Sequence, residues 1–207
     1  MSAVLLTAAM VAEATGARLV AGAPDRVFDD VSTDSRAIAA GALFIALRGE
    51  RFDGHAFVAD AIRRGAAGVL VDGPVDVAGG AVVLHVSDTL AALQSLARAI
   101  RRASGARVVA ITGSAGKTTT KEVTADVLAT RYRVLRNRGN LNNHIGLPLS
   151  LIELRRGADV AVVELGMNHA GEIRTLVGIA EPDVRVWINV GDAHLGRRQL
   201  DRKHLAG

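Results

Sequence analysis

The chain has 207 residues, 49% of them hydrophobic, no cysteine, and a formal net charge of +4 at pH 7. This length suffices for one large or two small domains with buried cores, and the lack of cysteine excludes disulfides, thiolate metal sites and a cysteine nucleophile. The positive charge is concentrated in the tail 197–207 and aromatic residues are few, so we expect no nucleic-acid binding. No apolar run approaches the roughly 20 residues that span a bilayer, so we expect no membrane insertion.

The first half of the chain predicts a small α/β unit. Apolar residues at helical spacing predict a helix over 4–15 that ends at Gly16. Further patterns predict strand-like segments at 18–20, 27–31, 43–47, 68–71 and 82–86, and helices at 55–64 and 88–102. Asp88 is the predicted N-cap of the last helix. The segment 104–106 is the predicted linker, so the first unit should end near residue 103.

The segment 32–36 (Ser-Thr-Asp-Ser-Arg) follows a strand-like run in this unit. Small hydroxyls and a carboxylate at such a position are typical of a surface turn held by local side-chain to backbone hydrogen bonds. Taken alone, these residues favour that interpretation over a ligand site.

A β-branched run, a glycine-rich turn and a lysine follow one another in the middle of the chain. Gly113 and Gly116 permit a tight turn that brings backbone amides toward an anion, and Lys117 supplies a mobile charge for phosphates. Thr118 stands where phosphate loops have a Mg²⁺ ligand. The alternative is an ordinary turn with an incidental lysine, since Ile111 stands where the usual pattern has its first glycine. The predicted nucleotide-binding residues are Gly113, Ser114, Ala115, Gly116, Lys117, Thr118 and Thr119.

The second half alternates strands and helices, which predicts parallel strands joined by helical crossovers. The predicted strands are 107–112, 132–135, 159–164 and 184–190, and the predicted helices are 117–129, 146–154 and 170–179. Ligands bind such sheets outside the carboxyl ends of the strands. The phosphate loop, Glu164 and the segment 189–194 should therefore converge on one edge.

Glu164 and His194 each allow two interpretations. Glu164 ends a buried-looking run, where a carboxylate is costly unless it is paired or bound to a metal, but a glutamate at a strand end is also common as a helix cap or a surface charge. His194 by itself is more typical of a solvated loop histidine. Only its predicted position beside Glu164 and Thr118 favours a ligand role.

Together these motifs resemble the Mur ligases, the ATP-dependent amide-bond-forming enzymes of peptidoglycan precursor synthesis. The segments that carry the resemblance are 32–36, 41–57, 112–119, 140–148, 163–173 and 189–195. The run 164–168 (Glu-Leu-Gly-Met-Asn) is similar to the members that use D-alanyl-D-alanine. The resemblance implies an α/β chain with a UDP-sugar substrate domain at 1–103 and an incomplete P-loop-type parallel ATPase domain at 104–207.

The resemblance also implies a reaction and a set of residues for it. ATP would phosphorylate the carboxylate of UDP-N-acetylmuramoyl-tripeptide, and the amine of D-alanyl-D-alanine would attack the resulting acyl phosphate. The implied catalytic residues are Lys117, Asn142, Asn143 and His194, and the implied Mg²⁺ ligands are Thr118, Glu164 and His194. The implied substrate-binding residues are Thr33, Asp34, Ser35, Arg36, Phe52, Asp53, Gly54, His55, Asn168 and His169. We expect a cytoplasmic monomer.

The tail 197–207 departs from the family pattern, and Lys203 is not in register with the family's Mg²⁺-binding lysine. We therefore expect a truncated or frameshifted chain without appreciable turnover of its own. Two alternatives stay open: a non-catalytic module that binds a nucleotide or a UDP-sugar, and another P-loop enzyme such as a nucleotide kinase or a folylpolyglutamate synthetase.

Overall fold

The computed structural model describes residues 3–49, 52–77, 79–137, 139–167 and 171–191. Its helices are α1 (Ala8–Thr15), α2 (Val58–Arg63), α3 (Thr89–Ser104), α4 (Lys117–Ala129), α5 (Gly146–Ile152) and α6 (Glu172–Ala180). Its strands are β1 (Arg18–Ala21), β2 (Val31–Ser32), β3 (Leu43–Ile45), β4 (Gly68–Val71), β5 (Val82–His85), β6 (Arg107–Thr112), β7 (Val134–Arg136), β8 (Val160–Glu164) and β9 (Val184–Trp187). The predicted α/β class is confirmed.

The first sheet has the strand order β1-β5-β4-β3-β2. Strand β1 pairs antiparallel with β5, and the other neighbours are parallel. Because β2 and β3 are parallel neighbours, with Ser32 opposite Phe44, the loops that leave their carboxyl ends start side by side. These loops carry the two segments for which the resemblance implies sugar binding.

The second sheet has the order β7-β8-β6-β9, and all its strands are parallel, as the alternation of strands and helices predicted. Strand β6 lies between β8 and β9, with Ile111 opposite Glu164 and Thr112 opposite Trp187. The phosphate loop, Glu164 and the segment after β9 therefore leave the same edge, as predicted.

Helix α3 joins the cores of the two sheets. Its buried face, which includes Leu93, Leu96 and Ile100 as predicted, belongs to one apolar cluster with Leu84 of the first sheet and Val163 of the second. Asp88 caps the helix by accepting hydrogen bonds from the amides of residues 90 and 91. The division of the chain near residue 103 stays a prediction.

Several predicted bounds need correction. Helix α1 begins at Ala8 instead of residue 4, because the Thr7 hydroxyl accepts from the Met10 amide and acts as the N-cap. The helix predicted over 55–64 consists of a 3-10 turn at Gly54–Phe57 followed by α2. The helix predicted over 146–154 consists of α5 followed by a 3-10 turn at Glu153–Arg156. Strand β2 is Val31–Ser32 instead of the predicted 27–31, because Val27 forms only an isolated bridge with Thr7. The bounds of β3, β7, β9 and α6 are also shifted or shortened relative to the prediction.

The predicted linker is packed into the fold. Gly105 adopts φ +64 and ends α3, and Ala106 is buried next to β6. The Arg101 guanidinium donates to the carbonyls of Ala106, Ala180 and Glu181.

Within the described residues, no helix is both long and apolar enough to cross a membrane.

Candidate functional site

The phosphate-loop sequence forms a tight turn between β6 and α4. Gly116 adopts φ +80, a left-handed conformation that disfavours residues with a side chain, and α4 begins at the next residue. The Lys117 ammonium donates to the Gly113 carbonyl at 2.7 Å, so its side chain lies back over the loop. The turn therefore combines loop amides, a lysine and the positive end of a helix dipole, which together favour an anion.

Asn189, which follows β9, holds this turn. Its Oδ1 accepts from the amides of Ser114 and Ala115 at 2.9 and 3.1 Å. The Ser114 hydroxyl and the Gly191 backbone exchange hydrogen bonds. The two loop amides thus converge on one acceptor, and an anion bound to them would take over the position of the Asn189 carboxamide oxygen.

Glu164 lies at the centre of the sheet edge. The residue is 4% exposed, and its carboxylate accepts from the Thr118 hydroxyl at 2.8 Å and from the Asn142 amide group at 2.7 Å. Gly166, two residues on, approaches Asn142 so closely that an added Cβ would lie 2.6 Å from the Asn142 Oδ1. The alternative of an exposed surface charge at Glu164 is therefore wrong.

The other residues predicted for the nucleotide end have different surroundings. The Asn143 Oδ1 accepts from the amides of Ile145 and Gly146 at the start of α5, and Asn143 makes no described hydrogen bond to Glu164. Thr119 is exposed on the first turn of α4. The predicted residues His194, Asn168 and His169 lie outside the described residues.

Two buried polar residues in this region were missed by the sequence analysis. Lys121 is 1% exposed and donates to the Asn137 carbonyl at 2.8 Å. The Asn137 side chain contacts both backbone groups of Glu164. The only sequence signal was that Lys121 follows Lys117 by one helical turn.

The oxygen donors at this edge suit Mg²⁺. That ion prefers oxygen ligands and is commonly bound by one or two carboxylates together with phosphates and waters. Glu164 and Thr118 supply a carboxylate and a hydroxyl in direct contact, beside the phosphate loop. No group of three or more His, Cys, Asp or Glu side chains that could hold a metal occurs among the described residues.

A cavity of about 420 Å³ lies at the carboxyl ends of β2 and β3. Its lining residues are Thr33, Asp34, Ser35, Arg36, Phe44, Phe52, Gly54 and Phe57. The structure thus brings together the two segments that the resemblance assigns to sugar binding. Aromatic rings beside hydroxyls and an exposed guanidinium are groups that can contact a sugar nucleotide.

The segment 32–36 also contains the local hydrogen bonds that a surface turn predicts. The Asp34 amide donates to the Ser32 hydroxyl, and the Arg36 guanidinium pairs with both carboxylate oxygens of Asp34. The hydrogen bond from the Arg36 side chain lowers the pKa of Asp34 to about 2, with the Arg36 amide contributing. The turn is therefore both locally stabilised and part of the cavity wall.

Asp53 and His55 were predicted to bind substrate, but neither lines this cavity. The His55 Nδ1 lies 2.6 Å from Asp53 Oδ1, and the Asp72 amide donates to His55 Nε2. The pKa of Asp53 is lowered, first by the His55 amide and then by its ring. Arg48 bridges Asp53 and Asp72, so this cluster holds Asp53, the neighbour of the cavity residue Phe52.

Another cavity, of about 270 Å³, lies between α3 and α6. Leu90 and Gln94 of α3 line one side, and Asn143 and Gly166 lie at the other, next to the Glu164 edge. The Thr89 hydroxyl, one residue before Leu90, donates to the Ala46 carbonyl just after β3. The first turns of α3 thus extend from the end of β3 to the residues Asn143 and Gly166 beside the Glu164 edge.

Comparison with known families gives two matches. Residues 111–200 match the Mur ligase middle domain, and residues 28–123 match the Mur ligase family, catalytic domain. Together the two matches include both the 420 Å³ cavity and the phosphate-loop edge.

Curated relatives agree with these matches. The UDP-N-acetylmuramoyl-tripeptide–D-alanyl-D-alanine ligase of Bacillus subtilis (strain 168) is 48% identical over 170 residues, which are 82% of this chain and 37% of the relative. The ligase of the same name from Escherichia coli (strain K12) is 45% identical over 83% of this chain and 37% of the relative. The chain therefore spans well under half the length of these relatives.

Solved structures share the fold. Crystal structure I of MurF from Acinetobacter baumannii matches with a TM-score of 0.86 and 39% identity, over 98% of this chain and 46% of that one. MurF ligase from Thermotoga maritima, solved in complex with ADP, matches with a TM-score of 0.72 and 36% identity, over 84% of this chain and 41% of that one.

Proposed function

Because the chain belongs to the Mur ligase family, we propose that it supplies the sugar-nucleotide site and the ATP site of a ligase that joins D-alanyl-D-alanine to UDP-N-acetylmuramoyl-tripeptide. The observation that carries this proposal is the contact of Thr118 in the phosphate-loop helix with the buried Glu164. The names of the curated relatives and the ADP-bound neighbour support the choice of substrates.

The proposed reaction has two steps. A carboxylate oxygen of the tripeptide attacks the γ-phosphorus of ATP, which gives an acyl phosphate and releases ADP. The amine of D-alanyl-D-alanine then attacks the acyl carbon, so that an amide bond forms and phosphate leaves with the bonding electron pair. The Lys117 ammonium and the loop amides stabilise the negative charge that spreads over the transferring phosphoryl group.

The side chains at the sheet edge have separate tasks in this proposal. Thr118 and Glu164 would hold Mg²⁺, which supplies positive charge to the phosphates, and Asn142 orients the Glu164 carboxylate. His194 is proposed as a further ligand from the resemblance alone. The 420 Å³ cavity binds the UDP-sugar, and the cavity along the first turns of α3 gives the peptide a route to the phosphate loop. The proposal places the protein in the cytoplasm, because ATP is supplied there, and treats it as a monomer.

Protection from thermal unfolding tests this function. UDP-N-acetylmuramoyl-tripeptide at 100 times its dissociation constant should stabilise the chain by about 2.7 kcal/mol, which raises the melting temperature by roughly 5–10 °C for a chain of this size. A folate substrate should give no shift. Protection by folate in place of the UDP-peptide would identify a folylpolyglutamate synthetase instead.

A pair of arginine variants locates the binding. Arg36 lines the sugar cavity and pairs with Asp34, whereas Arg63 is a similarly exposed arginine that pairs with Asp60 on α2. Arg36→Ala should reduce the thermal shift caused by the UDP-peptide, and Arg63→Ala should retain it. Equal shifts in both variants would show that the cavity at 33–57 is not the sugar site.

A further inference from the structure

Lys121 is a buried cation in the helix that carries the phosphate loop. Its ammonium donates to the Asn137 carbonyl at 2.8 Å and lies 3.0 Å from the Glu122 carboxylate, while the residue is 1% exposed. Burying a charge is costly, and an apolar residue of similar volume often serves stability as well or better. Core packing alone therefore does not account for a lysine at this position.

Asn137 receives this contact at the point where the chain leaves the sheet. Strand β7 ends at Arg136, opposite Val162 of β8. Beyond it the Asn137 side chain accepts from the Glu164 amide at 3.0 Å and donates to the Glu164 carbonyl at 3.3 Å. The Asn137 side chain thus takes the place of a further β7 residue as the hydrogen-bonding partner of β8. It holds both the backbone amide and the backbone carbonyl of Glu164.

The same side chain also fixes the loop that contains Asn142. The Asn137 amide group donates to the Leu141 carbonyl at 2.9 Å. The next residue, Asn142, then donates to the Glu164 carboxylate, and its own carbonyl accepts from the Gly166 amide. One buried side chain therefore determines the position of Glu164 and of one of the two donors to its carboxylate.

Helix α4 reaches Glu164 at two points one turn apart. Thr118 contacts the carboxylate directly, and Lys121 contacts the backbone of Glu164 through Asn137. Residues three apart lie on the same face of a helix. Both carboxylate oxygens and both backbone groups of Glu164 are consequently held by α4, Asn137 and Asn142.

We propose that Lys121 and Asn137 are positioning residues that fix Glu164 and Thr118 in the geometry required by the Mg²⁺ of a bound nucleotide, and that they thereby select Mg²⁺ over larger divalent cations. Mg²⁺ demands near-ideal octahedral geometry, whereas Ca²⁺ accepts flexible shells with more ligands. A rigid Glu164 favours the first ion, and a loosened one removes that advantage. This inference rests on the proposed nucleotide site.

The test compares nucleotide binding with two metals. Fluorescently labelled ADP is titrated against the 207-residue chain in Mg²⁺ and, separately, in Ca²⁺. The variant Lys121→Met retains the aliphatic stem and removes the ammonium. Its affinity for Mg²⁺–ADP should fall by about 10-fold or more, the usual effect of removing a group that orients a metal ligand, and its affinity for Ca²⁺–ADP should fall much less.

The control separates positioning from stability. Ile100→Val trims a core residue of α3 away from α4 and should lower the melting temperature by a few degrees, with both affinities unchanged. Equal losses with Mg²⁺ and Ca²⁺ in Lys121→Met, or no loss with either, would overturn the proposal. If Lys121→Met does not fold, Asn137→Ser takes its place, and failure of both to fold would assign the pair to folding alone and overturn the proposal as well.

The outcomes also distinguish this inference from the proposed function. If the unmodified chain does not bind Mg²⁺–ADP, the nucleotide site itself is wrong and both proposals fail. If it binds and the Lys121→Met variant keeps the same preference for Mg²⁺ over Ca²⁺, only the positioning role is wrong.

Discussion

The chemistry at the sheet edge depends on a few side chains whose partners explain their positions. Lys117 is held against the Gly113 carbonyl, and Glu164 is held by Thr118 and Asn142. A buried carboxylate is tolerated because hydrogen bonds compensate for its loss of water. These contacts keep a lysine and a carboxylate at one edge, where the first can attract phosphates and the second a cation.

Removing Lys117 should separate the two proposed sites. In Lys117→Ala the affinity for ADP with Mg²⁺ should fall by about 10- to 100-fold, because a hydrogen bond to a charged group contributes about 1.5–3 kcal/mol. The affinity for UDP-N-acetylmuramoyl-tripeptide should not change, since its cavity lies on the other sheet. Calorimetric titration of both ligands checks this, with Arg131→Ala beyond the end of α4 as the control. Equal loss of both affinities would mean that the nucleotide site is assigned to the wrong sheet.

Asp183 gives a prediction for pH dependence. Its pKa is lowered, first by the hydrogen bond from the Val108 amide and also by Arg101. A carboxyl whose pKa is lowered by folding stabilises the protein above its unfolded pKa near 4, and this contribution disappears as the pH falls further.

The variant Asp183→Asn should therefore lose less stability than the unmodified chain between about pH 5 and pH 2. Near pH 7 it should be less stable by about 1 kcal/mol, a modest figure because the side chain is 44% exposed and its ion pair is screened. Urea unfolding at a series of pH values measures this, with Glu13→Gln on α1 as the control. Parallel pH profiles for all three proteins would contradict the assignment.

At the scale of elements, α3 is the component on which both halves depend. It packs between the sheets, and Arg101 near its carboxyl end binds three carbonyls, two of them at the end of α6. These contacts of α3 fix the position of one sheet relative to the other. The first turns of the same helix line the 270 Å³ cavity between α3 and α6.

Replacing Arg101 should weaken this connection. Arg101→Met leaves three carbonyls without their donor and should lower the free energy of unfolding by about 2–3 kcal/mol. The matched variant Arg98→Met, at an exposed position of the same helix, should have an effect of less than about 0.5 kcal/mol. Urea unfolding compares the two, and similar midpoints would contradict the role of Arg101.

The sequence predicted elements best where the pattern and its boundaries agreed. The predicted bounds are those observed for β4, β6 and α4. Glycine or a sharp change of pattern delimits each of these segments. The start of α1 was missed because Val4 and Leu5 fit helical spacing with Ala8, although the Thr7 cap begins the helix later. The segment 104–106 has a linker composition, but burial of Ala106 depends on tertiary packing that local patterns do not contain.

The candidate site was predictable in outline and less so in its supports. Parallel topology was sufficient to bring the phosphate loop, Glu164 and Asn189 to one edge. The contribution of Asn137 could not be predicted from the sequence, because a single asparagine after a strand resembles many turn residues. Its role depends on its position directly after β7, which brings its side chain beside Glu164 of β8. Only the three-dimensional pairing of β7 with β8 reveals this proximity.

At the scale of the whole molecule, the two sheets carry the two proposed ligand sites at separate edges, and α3 packs between the sheets. The cavity at β2 and β3 contains the groups suited to a sugar nucleotide, and the edge at β6 and β8 contains those suited to a nucleoside triphosphate with Mg²⁺. In the proposed ligase the peptide must extend from one to the other. Two separable binding sites in one chain are therefore the central claim.

Hydrogen–deuterium exchange of the 207-residue chain with each ligand tests that claim most directly. Mg²⁺–ADP should slow exchange at 113–119 and leave 33–36 and 52–57 unchanged, and UDP-N-acetylmuramoyl-tripeptide should slow exchange at 33–36 and 52–57. Protection of the same segments by both ligands, or protection by either ligand only outside these segments, would contradict the account.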